Sequence, residues 1–351
     1  MTPGKKGNLK TKLAIVLLLF FIIGGIGLYV FYRAFYYPGI RFEEKSKIVY
    51  IHEDWNFAQV MDMLVNKHVL KRPKAFSLLA KIKGYTEHIK PGRYKIMSDI
   101  SNMQLVDLLI SGKQEPETIV IHNLRTVNEL AGMLAYRIEA DSTAIIKVMT
   151  DKQVIKKYGF DGATFSAMFI PGIYHFLWTD SPENFVEQMH NNYEDFWTPE
   201  RRKLAAAIPL TPIQVSILAS IVQAEQSVIE SEKPIIAGLY INRLKQGIPL
   251  QCDPTLIYAR GDFSIMRVRE KDKELDSPYN TYMHTGLPPG PIDMPEPSAL
   301  DAVLHYQKSD YIYMCAEADF SGKTHFTSSL KEQEEYATKY QRALTKRGIQ
   351  R

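Results

Sequence analysis

The chain has 351 residues, 45% of them hydrophobic, with 43 lysines and arginines against 39 acidic residues. This length and apolar content predict two or three domains with proper cores and exclude a disordered protein. Without the five basic residues of 1–33, the basic count falls from 43 to 38, against 39 acidic residues. The remainder lacks the basic excess of nucleic-acid-binding proteins, so no nucleic acid partner is expected.

The first predicted element is an uncharged apolar run, Leu13 to Phe31, which is long enough to span a bilayer as one helix. The alternative is a cleaved signal peptide, but the run exceeds a typical signal core and no Ala-x-Ala site follows it. The length of the run and the missing site therefore predict an uncleaved anchor. The positive-inside rule places residues 1–12 in the cytoplasm, with a transmembrane helix at 13–32 and the rest outside. The basic residues behind this orientation are Lys5, Lys6, Lys10 and Lys12 before the run, against Arg33 and Arg41 after it.

A mixed-charge linker, 33–46, leads to a first unit at 47–115. The run KIVYI predicts a strand, two helices follow, the second opening at Pro73, and PGRYKI predicts a turn and a second strand. A third helix is predicted from a cap at Ser101 to Gly112. The expected order is strand, helix, helix, strand, helix.

A weak internal similarity follows this unit. Aligning His52 with His122 places Asn56 opposite Thr126, in each case after a strand-like run and before an amphipathic helix. Duplication and the common pattern of a capped helix after a strand both explain it. We interpret His52 and His122 as structural residues.

The stretch TPIQVSILASIVQAEQSV, Thr211 to Val228, predicts a buried helix that carries one charged residue, Glu225, on its apolar face. Thr211 suits the cap and Pro212 the first turn. A charge at the end of an apolar face must be paired or held protonated with a raised pKa, which marks Glu225. The residues of that face, at i, i+3, i+4 and i+7, are Leu218, Ile221, Val222 and Glu225.

The two cysteines allow one disulfide if the region is exported. We predict none, because Cys315 lies in the strand-like run YIYMCA, where a cysteine acts as a small buried hydrophobe. Neither Cys252 nor Cys315 has a neighbour at metal-ligand spacing, so no metal and no cofactor are expected.

The region after Glu225 places polar residues between apolar ones, with proline and glycine fixing the loops, as a preorganised cleft requires. The alternative is that Asn242, Asp253 and Asn280 only cap helices and turns. The segments concerned are GLYINRLKQGIPLQCDPTLIY, YNTYMHTGLPPGPI and MPEPSAL.

Taken in order, ASIVQAEQ, INRL, LQCDPT, YNTY and GLPPGPI resemble the endolytic murein transglycosylase family (MltG, or YceG-like). The resemblance covers the exported region, since the IKPGRY turn and the LLISGKQ exit are similar to the family's LysM-like module. It implies an α+β fold with a single N-terminal transmembrane helix, a LysM-like α+β module at 47–115 and a mixed α+β catalytic domain at 116–351. The catalytic glutamate would lie on a central helix.

The resemblance makes Glu225 the catalytic carboxylate, since Gln223 replaces the first of the family's two glutamates. The chain departs from the family pattern at Pro171 to Tyr174 and at Glu296, which stands where the family commonly has a glycine. The residues carried over as substrate-binding are Gln223, Asn242, Gln251, Asp253, Thr255, Asn280, Tyr282 and His325.

The implied function is endolytic cleavage of peptidoglycan glycan strands between MurNAc and GlcNAc, close to the inner (cytoplasmic) membrane, leaving 1,6-anhydro-MurNAc ends and terminating nascent strands. The family also implies peptidoglycan synthases as partners. Two other classes remain open. One is a lysozyme-type hydrolase with Asp253 as second carboxylate, and the other is a non-catalytic, membrane-tethered glycan-binding protein.

Overall fold

The computed structural model describes residues 8–38, 40, 42–265 and 268–347. The chain forms two compact units: Met1–Glu117 with Phe176–Thr179, and Thr118–His175 with Asp180–Arg351. Both contain helices and short strands, as an α+β fold requires. The lysine and arginine positions Lys5, Lys6 and Arg41, used in the topology prediction, lie outside the described residues, as does the side chain of Lys10.

The first helix, α1 (Asn8–Phe35), confirms the predicted apolar helix. Its segment Thr11–Phe35 is long and apolar enough to cross a membrane. Most of its apolar side chains are exposed, but its last turn belongs to the first unit. Phe35 is buried, and the Asn102 side chain donates a hydrogen bond to the Ala34 carbonyl at 3.0 Å.

The segment predicted as a linker is packed against the same unit at Ile40. Ile40 is buried, its N–H donates to the Ile100 carbonyl at 3.2 Å, and its carbonyl accepts from the Asp99 N–H at 2.7 Å. The apolar side chains of Phe35 and Ile40 join the core because burial removes them from water. The segment after α1 is therefore attached to the first unit at two residues, Phe35 and Ile40.

The first unit has the predicted order of elements. β1 and β2 pair antiparallel, with Ser46 opposite Met97 and Ile51 opposite Gly92. Ser101 caps the last helix, as predicted, by accepting from the Gln104 N–H. The elements are β1 (Ser46–Ile51), α2 (Phe57–Asn66), α3 (Pro73–Ile82), β2 (Gly92–Met97) and α4 (Asn102–Ser111).

The second unit opens with a strand that leads into a helix capped by Thr126, so both halves of the internal similarity form a strand and a capped helix. Its strands pair as β3–β4 and β5–β6. The elements are β3 (Glu117–Ile121), α5 (Val127–Leu134), α6 (Ser142–Met149), α7 (Lys152–Lys157), β4 (Gly172–Phe176), α8 (Pro182–Phe196), α9 (Pro199–Ala207), α10 (Pro212–Glu225), α11 (Lys233–Gln246), α12 (Asp253–Arg260), α13 (Pro297–Leu304), β5 (Tyr313–Ala316), β6 (Thr324–Thr327) and α14 (Leu330–Lys346).

Helix α10 is the centre of the second unit. Thr211 caps it as predicted, with Gln214 completing a reciprocal capping box. All residues from Val215 to Val222 are buried, so the helix has no polar face over these turns, unlike the one-sided stripe predicted from sequence. The reason is that α11, α12 and α13 all pack against it.

Both cysteines are free, in agreement with the prediction. Cys252 is buried directly before α12. Cys315 lies in β5 as predicted, but that strand is only half-buried because it belongs to a two-stranded sheet near the surface.

Candidate active site

Glu225 is the last residue of α10, and the chain becomes extended at Gln226 (φ −138°, ψ 96°). Because the body of α10 is buried, only its C-terminal end reaches a cavity of about 710 Å³ in the second unit. The polar side chains around this cavity include Glu225, Tyr240, Arg243, Gln251, Asp253, Lys273, Tyr282 and Tyr313. This is called the Glu225 cavity below.

The carboxyl of Glu225 faces two buried side chains. Tyr240 Oη donates a hydrogen bond to Glu225 Oε1 at 2.8 Å, and the Cys252 thiol also bonds the carboxyl. Burial raises the pKa of Glu225, and the nearby charge of Asp253 raises it further, while the hydrogen bonds from Cys252 and Tyr240 lower it. Burial dominates, and the negative end of the α10 dipole acts in the same direction. The resulting shift, upward from the usual carboxyl range, is in the direction that a general acid needs.

Asp253 lines the same cavity in a different environment. It is the exposed first residue of α12, where the helix dipole favours a negative charge. Tyr282 Oη donates to Asp253 Oδ1 at 2.5 Å, and Lys273 Nζ lies 4.9 Å from the centre of the Tyr282 ring. The cavity therefore holds one half-buried and one exposed carboxyl group.

Arg243 supports the opposite wall. Its buried guanidinium donates to the carbonyls of Pro249 at 2.9 Å and Ile312 at 2.6 Å, and to the side chain of Gln251. Burial lowers its pKa from the usual arginine range. Arg243 orients Gln251 in the cavity and ties the end of α11 to the approach of β5.

Two further predicted residues lie directly behind the cavity wall. Thr255 and Asn280 are fully buried. Thr255 Oγ1 donates to the Cys252 carbonyl at 2.7 Å, and Asn280 Nδ2 donates to the carbonyls of Lys273 and Leu275, both at 2.8 Å. Asn280 Oδ1 also accepts from the Tyr282 N–H at 2.9 Å. Both residues position cavity residues through the backbone.

Asn242 and His325 lie outside the lining of the Glu225 cavity. Asn242 Nδ2 donates to the carbonyls of Ser309 at 2.8 Å and Tyr311 at 3.0 Å. His325 lies in β6, within 3.2 Å of Glu332 Oε1, and its ring stacks on Tyr336 at a centroid distance of 3.4 Å. Both stabilise the C-terminal part of the unit, and Asn242 does so from within α11 and not as a cap.

Gln223 faces a second cavity, of about 550 Å³, on the other side of the α10 terminus. Gln223 Nε2 donates to Asp293 Oδ2 at 3.2 Å, and Gln223 Oε1 accepts from the Glu296 N–H at 2.7 Å. His122 also reaches this cavity, with its Nδ1 2.7 Å from Glu296 Oε1. We call it the Asp293 cavity.

Sequence reasoning missed Tyr240, Arg243 and Asp293. The helical spacing of Ile236, Tyr240 and Arg243 on α11, which all line the Glu225 cavity, was the available signal for two of them. Asp293 had no such signal, because it lies in the loop before α13.

The fold and this site define an α+β protein with a carboxyl-based cleft beside a central helix, preceded by an apolar N-terminal helix. Residues 49–339 match the YceG-like family, and the chain belongs to that family.

The curated proteins that are similar to this chain include endolytic murein transglycosylases from two organisms. The endolytic murein transglycosylase of Bacillus subtilis (strain 168) is 28% identical over 338 residues, which cover 91% of this chain and 91% of the relative. That of Streptococcus pneumoniae serotype 2 is 26% identical over 82% of this chain and 57% of its own length. The crystal structure of a yceG-like protein from Listeria monocytogenes is similar with a TM-score of 0.56 and 27% identity, covering 83% of this chain and 98% of that one.

Proposed function

We propose that this protein is an endolytic murein transglycosylase that cuts peptidoglycan strands between MurNAc and GlcNAc and leaves 1,6-anhydro-MurNAc ends. The observation that carries the proposal is the carboxyl of Glu225 at the wall of a cavity of about 710 Å³, where Tyr240 hydrogen-bonds it and burial raises its pKa. Family membership and the names of the relatives support it.

In the first step, protonated Glu225 gives its proton to the glycosidic oxygen as the bond from that oxygen to the MurNAc anomeric carbon breaks. The GlcNAc side leaves with a free hydroxyl, and positive charge develops on the MurNAc ring. Glu225 is now a carboxylate, which the hydrogen bond from Tyr240 stabilises.

In the second step, the Glu225 carboxylate takes the proton from the MurNAc C6 hydroxyl while that oxygen bonds to the anomeric carbon. The acid is regenerated and no water is consumed. A hydroxyl on the same sugar has an effective concentration of about 10⁵ M or more when aligned, which lets it outcompete water. One carboxyl group therefore serves both steps.

The proposal places the enzyme at the inner membrane. α1 serves as a single-pass anchor. The packing of Phe35 at its end, and of Ile40 just after it, keeps the first unit, proposed as a LysM-like module, close to the bilayer. Nascent glycan strands are then the reachable substrate. Peptidoglycan synthases, which extend those strands, are the proposed partners.

The test uses the full-length chain in detergent with uncrosslinked glycan strands, and mass spectrometry of the new ends. We expect anhydro-MurNAc ends, each lighter by one water than the hydrolysis product. Glu225→Gln retains the shape of the side chain without its acid, so turnover should fall by 10²-fold or more, on the order expected for loss of a general acid. Glu200→Gln, an exposed change in α9, is the matched control and should be fully active.

A lysozyme-type hydrolase is the second candidate, favoured by one observation. Asp253 presents an exposed second carboxyl in the same cavity as Glu225, and the two carboxyl groups differ in environment. Dominance of borohydride-reducible ends would establish this candidate and overturn ours. No cleavage by the unmodified chain would leave a glycan-binding protein.

A further inference from the structure

The Asp293 cavity adjoins the Glu225 cavity. Ser227 lines both, so the two cavities meet just beyond the end of α10. Helix α12 also contributes to both, with Asp253 on the Glu225 side and Pro254 and Ile257 on the other. A polymer lying across the α10 terminus would occupy both cavities.

Asp293 is the least satisfied polar group in this second cavity. Its Oδ2 accepts from Gln223, whereas its Oδ1 is buried and has no hydrogen-bond partner among the residues that the structure describes. A buried polar atom without a partner costs free energy unless a ligand or water satisfies it. The carboxyl therefore has one free position for a hydrogen bond.

The charged groups around Asp293 are largely engaged with one another. Lys233 Nζ is 2.6 Å from Glu230 Oε1, and His122 Nδ1 is 2.7 Å from Glu296 Oε1. Arg125 lies over the Phe263 ring at 4.7 Å. The two ion pairs offset part of the charge at this cavity, which favours an uncharged ligand over an ionic one such as a stem peptide.

Part of the lining is apolar and aromatic, and suits the faces of a sugar ring. Ile257, Tyr258, Phe263 and Ile292 form it. Pockets that combine apolar walls with a few convergent polar groups are typical of small-molecule sites. An uncharged sugar with hydroxyl and acetamido groups matches both the walls and the free hydrogen-bonding position.

We propose that the Asp293 cavity is a glycan subsite that binds an uncharged N-acetylhexosamine unit of the same strand, and that Asp293 hydrogen-bonds this sugar directly. The proposal rests on the proposed function, because the strand that is cut in one cavity continues into the other. Asp293 is a positioning and binding residue, not a proton donor to the broken bond.

The binding test measures by calorimetry the affinity of full-length Glu225→Gln protein, which cannot cleave, for an uncharged N-acetylglucosamine tetramer. Adding Asp293→Ala should weaken binding about 3- to 10-fold, the loss expected for one hydrogen bond. Adding Asp195→Asn, an exposed acid on α8, should leave affinity unchanged. No binding of the tetramer, or equal affinity with Asp293→Ala, overturns the subsite. Cleavage of glycan by the unmodified chain, measured separately, distinguishes this failure from failure of the proposed function.

A pH series tests whether Asp293 itself is responsible. Burial raises the pKa of Asp293 to about 7, with Glu296 raising it and Gln223, Arg125 and Lys233 lowering it. The protonated carboxyl donates to the sugar, so affinity of the Glu225→Gln protein should fall between about pH 6 and pH 8.5. Asp293→Asn keeps a donor at every pH and should bind with little pH dependence, while the neighbouring charged groups His122, Glu296, Arg125 and Lys233 are present in both proteins. Parallel pH profiles would overturn the role of Asp293, and retained folding of the Asn variant removes misfolding as an explanation.

Discussion

At the scale of single residues, the carboxyl of Glu225 is held between opposing effects. Burial and the charge of Asp253 raise its pKa, while Cys252 and Tyr240 lower it by hydrogen-bonding the charged form. An acid that must later act as a base needs both kinds of influence, because its two protonation states have to lie close in energy. Tyr240 is the clearest means of changing that balance.

Tyr240→Phe removes the hydrogen bond to Glu225 Oε1 without opening a cavity. The folded-state pKa of Glu225 rises further, so the acid stays protonated to higher pH and the alkaline limb of the pH–rate profile moves up. The carboxylate loses a hydrogen bond to a charged group, about 1.5–3 kcal/mol, so kcat should fall about 10- to 100-fold.

Tyr136→Phe, the same change at an exposed position away from the cavity, is the control and should change neither quantity. If the alkaline limb of the Tyr240→Phe pH–rate profile lies at the same pH as in the unmodified protein, this hydrogen bond does not set the pKa of Glu225.

At the scale of elements, the site depends on close packing of α11 behind α10. A Cβ on Gly238 would lie 2.1 Å from the Gln307 carbonyl oxygen, and the Gln307 N–H donates to the Pro234 carbonyl at 2.9 Å. The segment after α13 thus lies directly on the α11 backbone. Since α11 carries Tyr240 and Arg243, this contact fixes two cavity residues.

Gly238→Ala forces α11 and residue 307 apart, which should destabilise the unit by about 1–3 kcal/mol. Gly132→Ala on α5 is the matched control, because no atom of the described chain lies within 4 Å of a Cβ placed there. Alanine is the better helix former by up to about 1 kcal/mol, so this control should be neutral or stabilising. Thermal unfolding followed by circular dichroism measures both, and an unchanged midpoint for Gly238→Ala would contradict the close approach.

At the scale of the whole molecule, α1 runs from an apolar segment directly into the first unit. Asn102 and Arg72 donate to the carbonyls of Ala34 and Arg33 at its end. A helix docked in this way is joined to the first unit by a short, packed segment, in contrast to a long flexible linker. The proposed anchor would therefore restrict how far the first unit can move from the bilayer.

Protease added outside spheroplasts should digest the chain beyond Tyr37 and leave an N-terminal tag protected, if Thr11–Phe35 is an uncleaved span with a cytoplasmic N-terminus. Detergent lysis is the control and should expose the tag. A mature protein that begins after Phe31 and is released in soluble form would instead indicate a signal peptide.

The sequence by itself determined the local features. Caps at Ser101, Thr126 and Thr211, the apolar first helix and the strand–helix–helix–strand order all depend on neighbours along the chain, and short-range patterns predict them. The position of Glu225 at the end of a buried helix followed from the same spacing. Its role as the catalytic acid remains a prediction.

Only the tertiary structure decided which polar residues meet. It brings Gln251, Asp253 and Tyr282 to the cavity of Glu225, sets Thr255 and Asn280 behind its wall, and leaves Asn242 and His325 bonded elsewhere. It also places Asp293 beside Gln223, 70 residues away in sequence, with one carboxyl oxygen that has no partner among the described residues. The physical reason is that burial and long-range contacts, not local propensity, determine the pKa and the partners of a side chain.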